Sequence, residues 1–304
     1  MRPGHGIGSA GVPAEGGRAD RVVAAKLGIG RRRARELIDS GLVLVDGRRV
    51  RRGEKLDPTA VLTVLESSAV VDETAPAAAL PRVVWEGGDI IGVNKPAGYH
   101  SHRGRQRPSI ADFLAERYVG IDAVGDSAVE CGLIHRLDRD TSGIIVAAAH
   151  PTVFSALRTA FGNGEISKDY LALVHGVIPS STVVEVPLTR LRSRVRAARR
   201  AERSWPATTW ITPLEHGATW TLVQATMETG VTHQIRAHLS ILGYPVIGDR
   251  KYGNTTAANG PAGGQRLHAW CIRLPGDLTL AAAPDGRFLE TLAHLRAGKT
   301  FPPR

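Results

Sequence analysis

The order of the apolar segments constrains the fold of this chain more than any other feature of its sequence. Between residues 82 and 304, strand-like segments follow one another, often without a helix between them. The predicted strands are Ile90–Val93, Ile144–Ala149, Tyr170–Val174 and Trp220–Met227, and the predicted helices are Ile110–Tyr118, Thr152–Phe161 and Thr232–Leu242. Because parallel strands need a crossover helix, this order favours an α+β fold with a mixed, largely antiparallel central sheet and flanking helices.

Composition narrows the class of protein. Of the 304 residues 42% are hydrophobic, enough for a packed core, and no stretch of about 18 apolar residues lacks a charge, so we expect no transmembrane helix. Lys and Arg total 39 against 29 Asp and Glu, a net charge of +10. This excess indicates a polyanionic partner, foremost a nucleic acid, and an arginine-rich composition without a binding role is the alternative. Two cysteines, Cys131 and Cys271, exclude a disulfide framework and favour a reducing cytoplasm.

The sequence also predicts the domain organisation. We expect a disordered leader (residues 1–17), a small domain (residues 18–65), a linker (residues 66–81) and a large domain (residues 82–304). The leader is rich in Gly and Pro and has no apolar run typical of a secretory signal. In the small domain, the sequence predicts two helices, the second ending at Gly41, and a β-hairpin that turns at Asp46–Gly47. Residues 18–66 hold twelve Lys and Arg against seven Asp and Glu, which is half of the chain's net charge.

A dense polar cluster lies between two apolar runs in Gly132–Ile145, whose sequence is GLIHRLDRDTSGII. Polar residues between two core strands usually form a turn at the mouth of a cleft. Asp138 is flanked by Arg136 and Arg139, and nearby positive charge favours the ionised carboxylate. The cluster therefore indicates either a functional site or a salt-bridged structural turn.

Two further segments place polar side chains on one face of an element. In the helix predicted from Thr232, His233 and Arg236 are three residues apart and share a face. In a strand, Lys168 and Tyr170 also share a face, where Lys can bind phosphate and Tyr can stack on a base. A solvent-facing helix, and an edge-strand lysine beside a partly buried tyrosine, are the structural alternatives.

An arginine-rich run occupies residues 190–203. Seven of these fourteen residues are Arg and one is Glu. The pattern predicts an exposed arm that contacts RNA, and a solvated surface loop is the alternative.

Five sequence blocks together resemble one known family. HRLDRDTSG at 135–143, KDYLALVHG at 168–176, TGVTHQIRAHLSILGYPVIGD at 229–249, VNKPAG at 93–98 and RLHAW at 266–270 are similar to the signature blocks of the RluA/RluD-type pseudouridine synthases. Residues 18–65 resemble the αL-type RNA-binding domain named after a ribosomal protein, the S-four-like domain. The resemblance extends from about residue 18 to the end of the sequence.

The resemblance implies an isomerase with the pseudouridine synthase fold that converts uridine to pseudouridine within RNA. It implies no metal and no cofactor, because no atom is added or lost. The family's catalytic aspartate corresponds to Asp138, which either adds covalently at the anomeric carbon or removes a ribose proton to give a glycal. Tyr170 corresponds to the tyrosine that stacks on the target base, and Arg236 to the arginine that pairs with the aspartate. Arg136 corresponds to the arginine that fills the gap left by the flipped nucleotide.

Further side chains are expected to contact the RNA or the flipped base. These predicted binding residues are His102, His135, Arg136, Lys168, His233, Leu267, Arg31, Arg32 and Arg33, and Ile235 is a weaker candidate for the apolar wall. The resemblance favours large-subunit ribosomal RNA as the substrate, with transfer RNA as the alternative, and a cytoplasmic monomer. Two other readings compete with the enzyme: a catalytically inactive RNA-binding ribosome assembly factor, and a glycosidase acting on free nucleosides.

The chain departs from the family pattern at two places. Val231 occupies the position of the first arginine in the usual TGRTHQIR block, and we expect Arg192 or Arg266 to compensate for the lost charge. The segment YHSHRG at 99–104 replaces a Val-His-Pro-like sequence, with His102 at the histidine position. Both departures bear on substrate preference more than on the chemistry, since the three residues with catalytic counterparts are present.

Overall fold

The computed structural model describes two compact units of the chain, Met1–Thr74 and Ala75–Arg304. The described residues are 17–27, 31, 34–35, 38, 43–45, 48–51, 53–56, 62–64, 80–104, 108–253 and 263–299. Several sequence predictions lie outside them: residues 1–16 of the leader, Arg32, Arg33, the Gly41 cap, the Asp46–Gly47 turn and residues 66–79 of the linker.

The first unit contains the predicted helix and hairpin. Its elements are β1 (Gly17–Arg18), α1 (Ala19–Leu27), β2 (Val43–Val45), β3 (Arg48–Arg49), β4 (Lys55–Leu56) and β5 (Leu62–Val64). Strands β2 and β3 are antiparallel with Val45 opposite Arg48, as the predicted hairpin requires, and β5 pairs with the other edge of β2. Gly17 pairs with Leu56, so this residue belongs to a strand and not to the leader predicted from the sequence.

The second unit is built on a large sheet. Its strands are β6 (Arg82–Gly87), β7 (Ile90–Lys95), β8 (Ser142–Ala148), β9 (Ser167–His175), β10 (Thr182–Val184), β11 (Leu188–Leu191), β12 (Arg194–Ala197), β13 (Thr209–His216), β14 (Trp220–Met227), β15 (Leu267–Leu274) and β16 (Leu278–Ala281). Its α-helices are α2 (Ile110–Arg117), α3 (Pro151–Gly162), α4 (Gln234–Ile241) and α5 (Gly286–Arg296).

The sheet has the order β10-β13-β14-β9-β15-β8-β7-β6, with β16 beside β15. Among the described strands, β8 and β15 form the parallel pair and the other pairs are antiparallel. The predicted α+β fold with a mixed, largely antiparallel sheet is therefore confirmed. Strand β9 lies between β14 and β15 near the middle of the sheet, so Lys168 is on a central strand and not on an edge.

The parallel pair depends on one glycine. Gly143 faces Ala269 of β15 and has a φ of 114°, a conformation that residues with a side chain rarely adopt. A Cβ at this position would collide with the Ala269 carbonyl. The glycine that ends the HRLDRDTSG block therefore lets β8 enter the centre of the sheet directly after the polar loop.

Local sequence explains where the helices begin. Ser109 caps α2 by accepting a hydrogen bond from Asp112 N (3.1 Å), and Pro151 starts α3 at a position where no backbone donor is needed. Helix α4 begins at Gln234, two residues later than predicted, because His233 takes a left-handed conformation with a φ of 58°. Within the described part of the chain, no helix is both long enough and apolar enough to span a bilayer.

Candidate active site

Asp138 lies in the polar loop that leads into β8. Ile134 donates a backbone hydrogen bond to Val146 O at 3.1 Å, so the chain runs beside β8 before it turns. Thr141 N–H closes the loop on the Asp138 carbonyl at 3.1 Å. The Asp138 side chain lines an open cavity and is 19% exposed. The structure therefore forms the turn at the edge of a cleft that the polar cluster predicts.

Arg236 binds this carboxylate from the first turn of α4. Its Nη1 donates to Asp138 Oδ2 at 2.6 Å, although the two residues are 98 positions apart in the sequence. The other side of the guanidinium is bound by Asp249, with Nε to Oδ2 at 2.6 Å and Nη2 to Oδ1 at 2.7 Å. Arg236 is thus shared by one carboxylate that faces the cavity and one that is fully buried.

The charges of Asp138, Arg236 and Asp249 stabilise one another. Burial favours the neutral form of Arg236, but the hydrogen bonds and charge of Asp249 and the charge of Asp138 outweigh it and raise the arginine pKa. Burial likewise opposes ionisation of Asp249, yet its hydrogen bonds and charge interaction with Arg236, and the backbone N–H groups of Lys251 and Tyr252, lower its pKa. The guanidinium therefore faces Asp138 as a fixed positive charge.

His233 approaches the second oxygen of the aspartate. Its Nε2 is 3.5 Å from Asp138 Oδ1, and its Nδ1 is 2.9 Å from Tyr252 Oη. Val195 N–H donates to the same Oη at 2.8 Å, so this oxygen already has a donor and its own proton is available to Nδ1. Burial is the largest cause of the lowered His233 pKa. A neutral His233 that accepts at Nδ1 carries its proton on Nε2, facing Asp138.

The cavity beside Asp138 has a volume of about 250 Å³. Tyr170, Lys168, Leu267 and Ile235 line it together with Asp138. Burial, followed by the charge of Asp138, raises the Tyr170 pKa, so its hydroxyl keeps its proton. The cavity combines one aspartate and one neutral phenol with apolar and cationic side chains, which suits a flat polar ring.

Two buried side chains of the cavity lining, Lys168 and His135, contact the ring of Phe161. Lys168 Nζ donates to Thr229 O at 3.1 Å and lies 3.9 Å from the centroid of the Phe161 ring, and burial lowers its pKa to about 8. His135 stacks on the same ring at 5.7 Å and accepts from Val146 N at 3.0 Å. Burial lowers the His135 pKa to about 3, so this imidazole is neutral. Arg136, by contrast, is exposed.

Comparison with known proteins identifies the fold and the chemistry. A family model described as RNA pseudouridylate synthase matches residues 89–241, half of the chain, and a model of the S4 domain matches residues 17–62. The chain belongs to the RNA pseudouridylate synthase family. It is therefore an isomerase that acts on uridine in RNA, with an S4 domain at its N-terminus.

Individual relatives agree with this assignment. An uncharacterized RNA pseudouridine synthase from Chloroflexus aurantiacus is 35% identical over 240 residues, which cover 78% of this chain and 75% of the relative. The ribosomal large subunit pseudouridine synthase D of Yersinia pestis is 30% identical over 226 residues, which cover 73% and 68%. A solved structure of human RNA pseudouridylate synthase domain containing 1 has the same fold, with a TM-score of 0.58 at 24% identity, covering 75% of this chain and 99% of that one.

The synthase contains a buried lysine near the site that the sequence reasoning did not select. Lys95, at the end of β7, is 0% exposed and donates to the carbonyls of Pro96 (3.1 Å), Tyr99 (2.8 Å) and Arg139 (3.0 Å). Burial lowers its pKa to about 7 against the opposing charge of Asp138. Lys95 thereby joins the loop after β7 to the loop that carries the aspartate.

The sequence prediction also missed Asp249 and Tyr252. For Lys95 and Asp249, however, the sequence blocks carried a signal. Lys95 lies within the VNKPAG block and Asp249 ends the block at 229–249. Tyr252 lies after the last residue of the block at 229–249, and no sequence pattern indicates it. Each is identified by its contacts, since local pattern does not reveal which distant group a buried charge will meet.

Some predictions for individual residues are not met inside their own unit. His102 is not among its lining residues, although the charge of Arg136, after burial, helps to lower its pKa. Arg31 is exposed in the first unit. Arg266, expected to compensate for Val231, is instead buried and donates to Thr291 Oγ1 (2.7 Å) and Gly264 O (2.7 Å).

The structure overturns one alternative that the sequence left open. Helix α4 is not a solvent-facing helix, because all six residues from Gln234 to Leu239 are buried. Val231, where the family arginine is absent, packs against the small apolar cluster of Leu188, Val195, Ala207 and Ala237 and lines the cavity. Among the described residues, no cluster of His, Cys, Asp or Glu has the composition of a metal site.

Proposed function

We propose that this synthase converts a specific uridine of large-subunit ribosomal RNA to pseudouridine, with Asp138 as the catalytic group. The observation that carries the proposal is the Asp138 carboxylate, which is bound by Arg236 at 2.6 Å and faces a cavity of about 250 Å³ beside Tyr170. The ribosomal substrate is supported by the name of the Yersinia pestis relative, a ribosomal large subunit pseudouridine synthase. A ribosomal substrate supports a cytoplasmic location, and we expect a monomer.

Asp138 acts on the ribose of a uridine that has been flipped out of the RNA stack. In one route the carboxylate bonds to C1′ as the glycosidic C–N bond breaks; in the other it removes the C2′ proton and leaves a glycal. The freed base rotates and C5 forms the new bond to C1′. In the first route this displaces the Asp138 carboxylate from C1′, and in the second Asp138 returns its proton to C2′. The C5 proton then passes to N1. Both routes use the carboxylate, and the structure supports both.

The surrounding residues bind and orient. Arg236 holds the carboxylate in place through its second contact with Asp249. Tyr170 lies against the base, and its raised pKa keeps its hydroxyl protonated. Arg136 occupies the space that the uridine leaves, since its side chain is exposed at the cavity rim. We assign the remaining binding roles to His135, Lys168, His233, Leu267 and His102, and to Arg31, Arg32 and Arg33 of the S4 domain.

The test maps pseudouridine in total RNA from a strain that lacks this protein. Carbodiimide adducts that stop primer extension locate each modified site after wild type or Asp138→Asn is added back. We expect wild type to restore a site in large-subunit RNA and Asp138→Asn to fail. The matched control is Asp140→Asn, the same isosteric change two residues away in the same loop, and we expect it to restore the site.

Other outcomes separate the alternatives. Restoration by Asp138→Asn would contradict the catalytic assignment. A site in transfer RNA would replace the proposed substrate and leave the chemistry unchanged. If no RNA site depended on the protein, the inactive assembly factor would be favoured, and release of uracil from free uridine would favour the glycosidase.

A further inference from the structure

A second, larger cavity opens beside the cavity of Asp138. Its volume is about 940 Å³, against about 250 Å³ for the first. The two share lining residues, among them Arg136, Phe161, Thr232 and His233, so they form one continuous opening. Binding sites for small molecules have volumes of roughly 300–1,000 Å³, so the second cavity has room for a ligand of its own.

The arginine-rich segment forms one wall of this second cavity. It folds as the hairpin of β11 and β12, with Leu188 opposite Ala197. Leu188 and Val195 are buried against Ala237 of α4, so the hairpin is packed on the fold and is not a loose arm. Arg196 is bound by Glu202 at 2.9 and 2.5 Å, which keeps that arginine within the hairpin.

The charge of the second cavity is positive. Arg136, Arg190 and Arg194 line it, and Glu228 is the acidic residue among its lining side chains. Both hairpin arginines are exposed. A wall with this charge favours a ligand that carries phosphates, because the attraction is strongest where the charges converge on a groove.

Trp205 adds a flat apolar surface to the same wall. Its backbone is fixed on both sides, with Trp205 N–H to Leu188 O at 2.9 Å and Leu188 N–H to Trp205 O at 3.0 Å. The residue is nevertheless 47% exposed and lines the second cavity. An exposed indole on a backbone held in this way is a stacking surface for a base, and every base has a face that can stack on it.

We propose that the second cavity binds the nucleotide next to the target uridine, with its base stacked on Trp205 and its phosphates in contact with Arg190 and Arg194. The occupant is single-stranded RNA, since stacking requires an unpaired base. The inference rests on the proposed function, because the first cavity has to hold the flipped uridine for its neighbour to reach the second.

Indole fluorescence tests the stacking directly and needs no catalysis. The probe is an oligouridylate of about 12 nucleotides, titrated into the full chain and into Trp205→Phe and Trp85→Phe. Trp85 is the matched control, since it is 42% exposed on edge strand β6 and lines neither cavity. We expect RNA to quench the fluorescence of wild type and of Trp85→Phe. In Trp205→Phe, most of this quenching should be absent. Equal quenching in the two variants, or none in wild type, would overturn the proposal.

Affinity provides a second measurement. Trp205→Ala is expected to bind the oligouridylate about tenfold or more weakly than wild type, and Trp85→Ala as tightly as wild type. Arg194→Ala is expected to reduce the slope of log affinity against log salt by about 0.7, the value for one phosphate contact on a single strand. Trp205→Phe keeps an aromatic ring at this position and serves as the folded reference if Trp205→Ala is unstable.

RNA with an abasic residue identifies which neighbour of the target uridine stacks on Trp205. RNA containing the mapped uridine is made with an abasic residue on its 5′ or its 3′ side. Trp205→Ala should raise KM on intact RNA with kcat unchanged, and this penalty should disappear when the stacked base is the missing one. A penalty that persists on both abasic RNAs would overturn direct stacking.

The two proposals fail in different ways. Quenching that depends on Trp205, together with an Asp138→Asn variant that is fully active, would leave the second cavity as an RNA site and remove the catalytic assignment. Conversion that depends on Asp138, without quenching at Trp205, would remove the present inference alone.

Discussion

Arg236 holds its position because two carboxylates bind it from opposite sides. Asp249 makes two hydrogen bonds of 2.6 and 2.7 Å and is fully buried, whereas Asp138 makes one and faces the cavity. A buried guanidinium without a partner is costly, so Asp249 stabilises the fold and the aspartate–arginine pair through the same contact. At the residue scale, Asp249 is therefore a positioning residue for Asp138.

Removal of Asp249 tests this dual role. Asp249→Ala should lower the free energy of unfolding by about 3–5 kcal/mol, because it leaves Arg236 buried with one partner, and it should lower kcat as well. Urea denaturation and conversion of the mapped uridine measure the two effects. The control Asp277→Asn, in an exposed turn, should change stability by less than about 0.5 kcal/mol. Unchanged activity in a folded Asp249→Ala protein would contradict the positioning role.

Lys168 is expected to give RNA binding a pH dependence. Burial lowers its pKa to about 8, so the ammonium is charged below that pH and neutral above it. If Lys168 contacts the RNA, affinity should fall as the pH rises through about 8. Lys168→Met should bind more weakly at pH 7 and show no such step, as measured by titration of the oligouridylate at constant ionic strength. The same step in Lys168→Met would contradict the role.

At the scale of elements, the site depends on how β8 enters the sheet. Gly143 lies opposite Ala269 at the parallel pairing of β8 with β15, where the two backbones come too close for a side chain. The loop that carries Asp138 ends at this crossing. The position of the Asp138 loop is thus constrained by a backbone contact that needs glycine.

Two glycine substitutions distinguish the energetic cost of this close contact from the cost of backbone strain. Gly143→Ala should destabilise the protein by more than about 4 kcal/mol, because the new methyl group collides with the Ala269 carbonyl. Gly98 also has a positive φ, of 95°, but nothing lies within 4 Å of an added Cβ. Gly98→Ala should therefore cost about 1–2 kcal/mol from strain alone. Thermal unfolding measures both, and equal losses would contradict the close-contact argument.

Sequence patterns predicted the positions of the elements better than the geometry at their ends. The predicted strand Trp220–Met227 coincides with β14, since apolar periodicity reports directly which segments are buried. The left-handed His233, by contrast, moved the start of α4 and brought its ring to 3.5 Å from Asp138. Spacing along an ideal helix cannot reveal this geometry, because the residue lies outside the helix.

The site itself was predicted through its sequence blocks and completed by long-range contacts. Asp138, Tyr170 and Arg236 fall in three separate blocks, and the structure brings all three to one cavity. The second contact of Arg236, with Asp249, and the three carbonyls around Lys95 depend on tertiary packing, so periodicity carries no signal for them.

At the scale of the whole molecule, the S4 domain is expected to contribute affinity and the larger unit the chemistry. Deletion of residues 1–81 should weaken RNA binding about tenfold or more, and each lost phosphate contact should make the salt dependence shallower by about 0.9. The kcat on the mapped RNA should stay within about twofold. Titration and conversion assays at several salt concentrations measure these effects. Unchanged efficiency at physiological salt would contradict the role of the domain.

The long sequence separation between Asp138 and its partners has a consequence for synthesis of the enzyme. Arg236 follows the aspartate by 98 residues, and β15, which fills the gap between β9 and β8, is made later still at Leu267–Leu274. A nascent chain that has not reached β15 lacks the centre of its sheet, so its aspartate has no assembled pocket. Each new copy is therefore expected to stay inactive until β15 has been made.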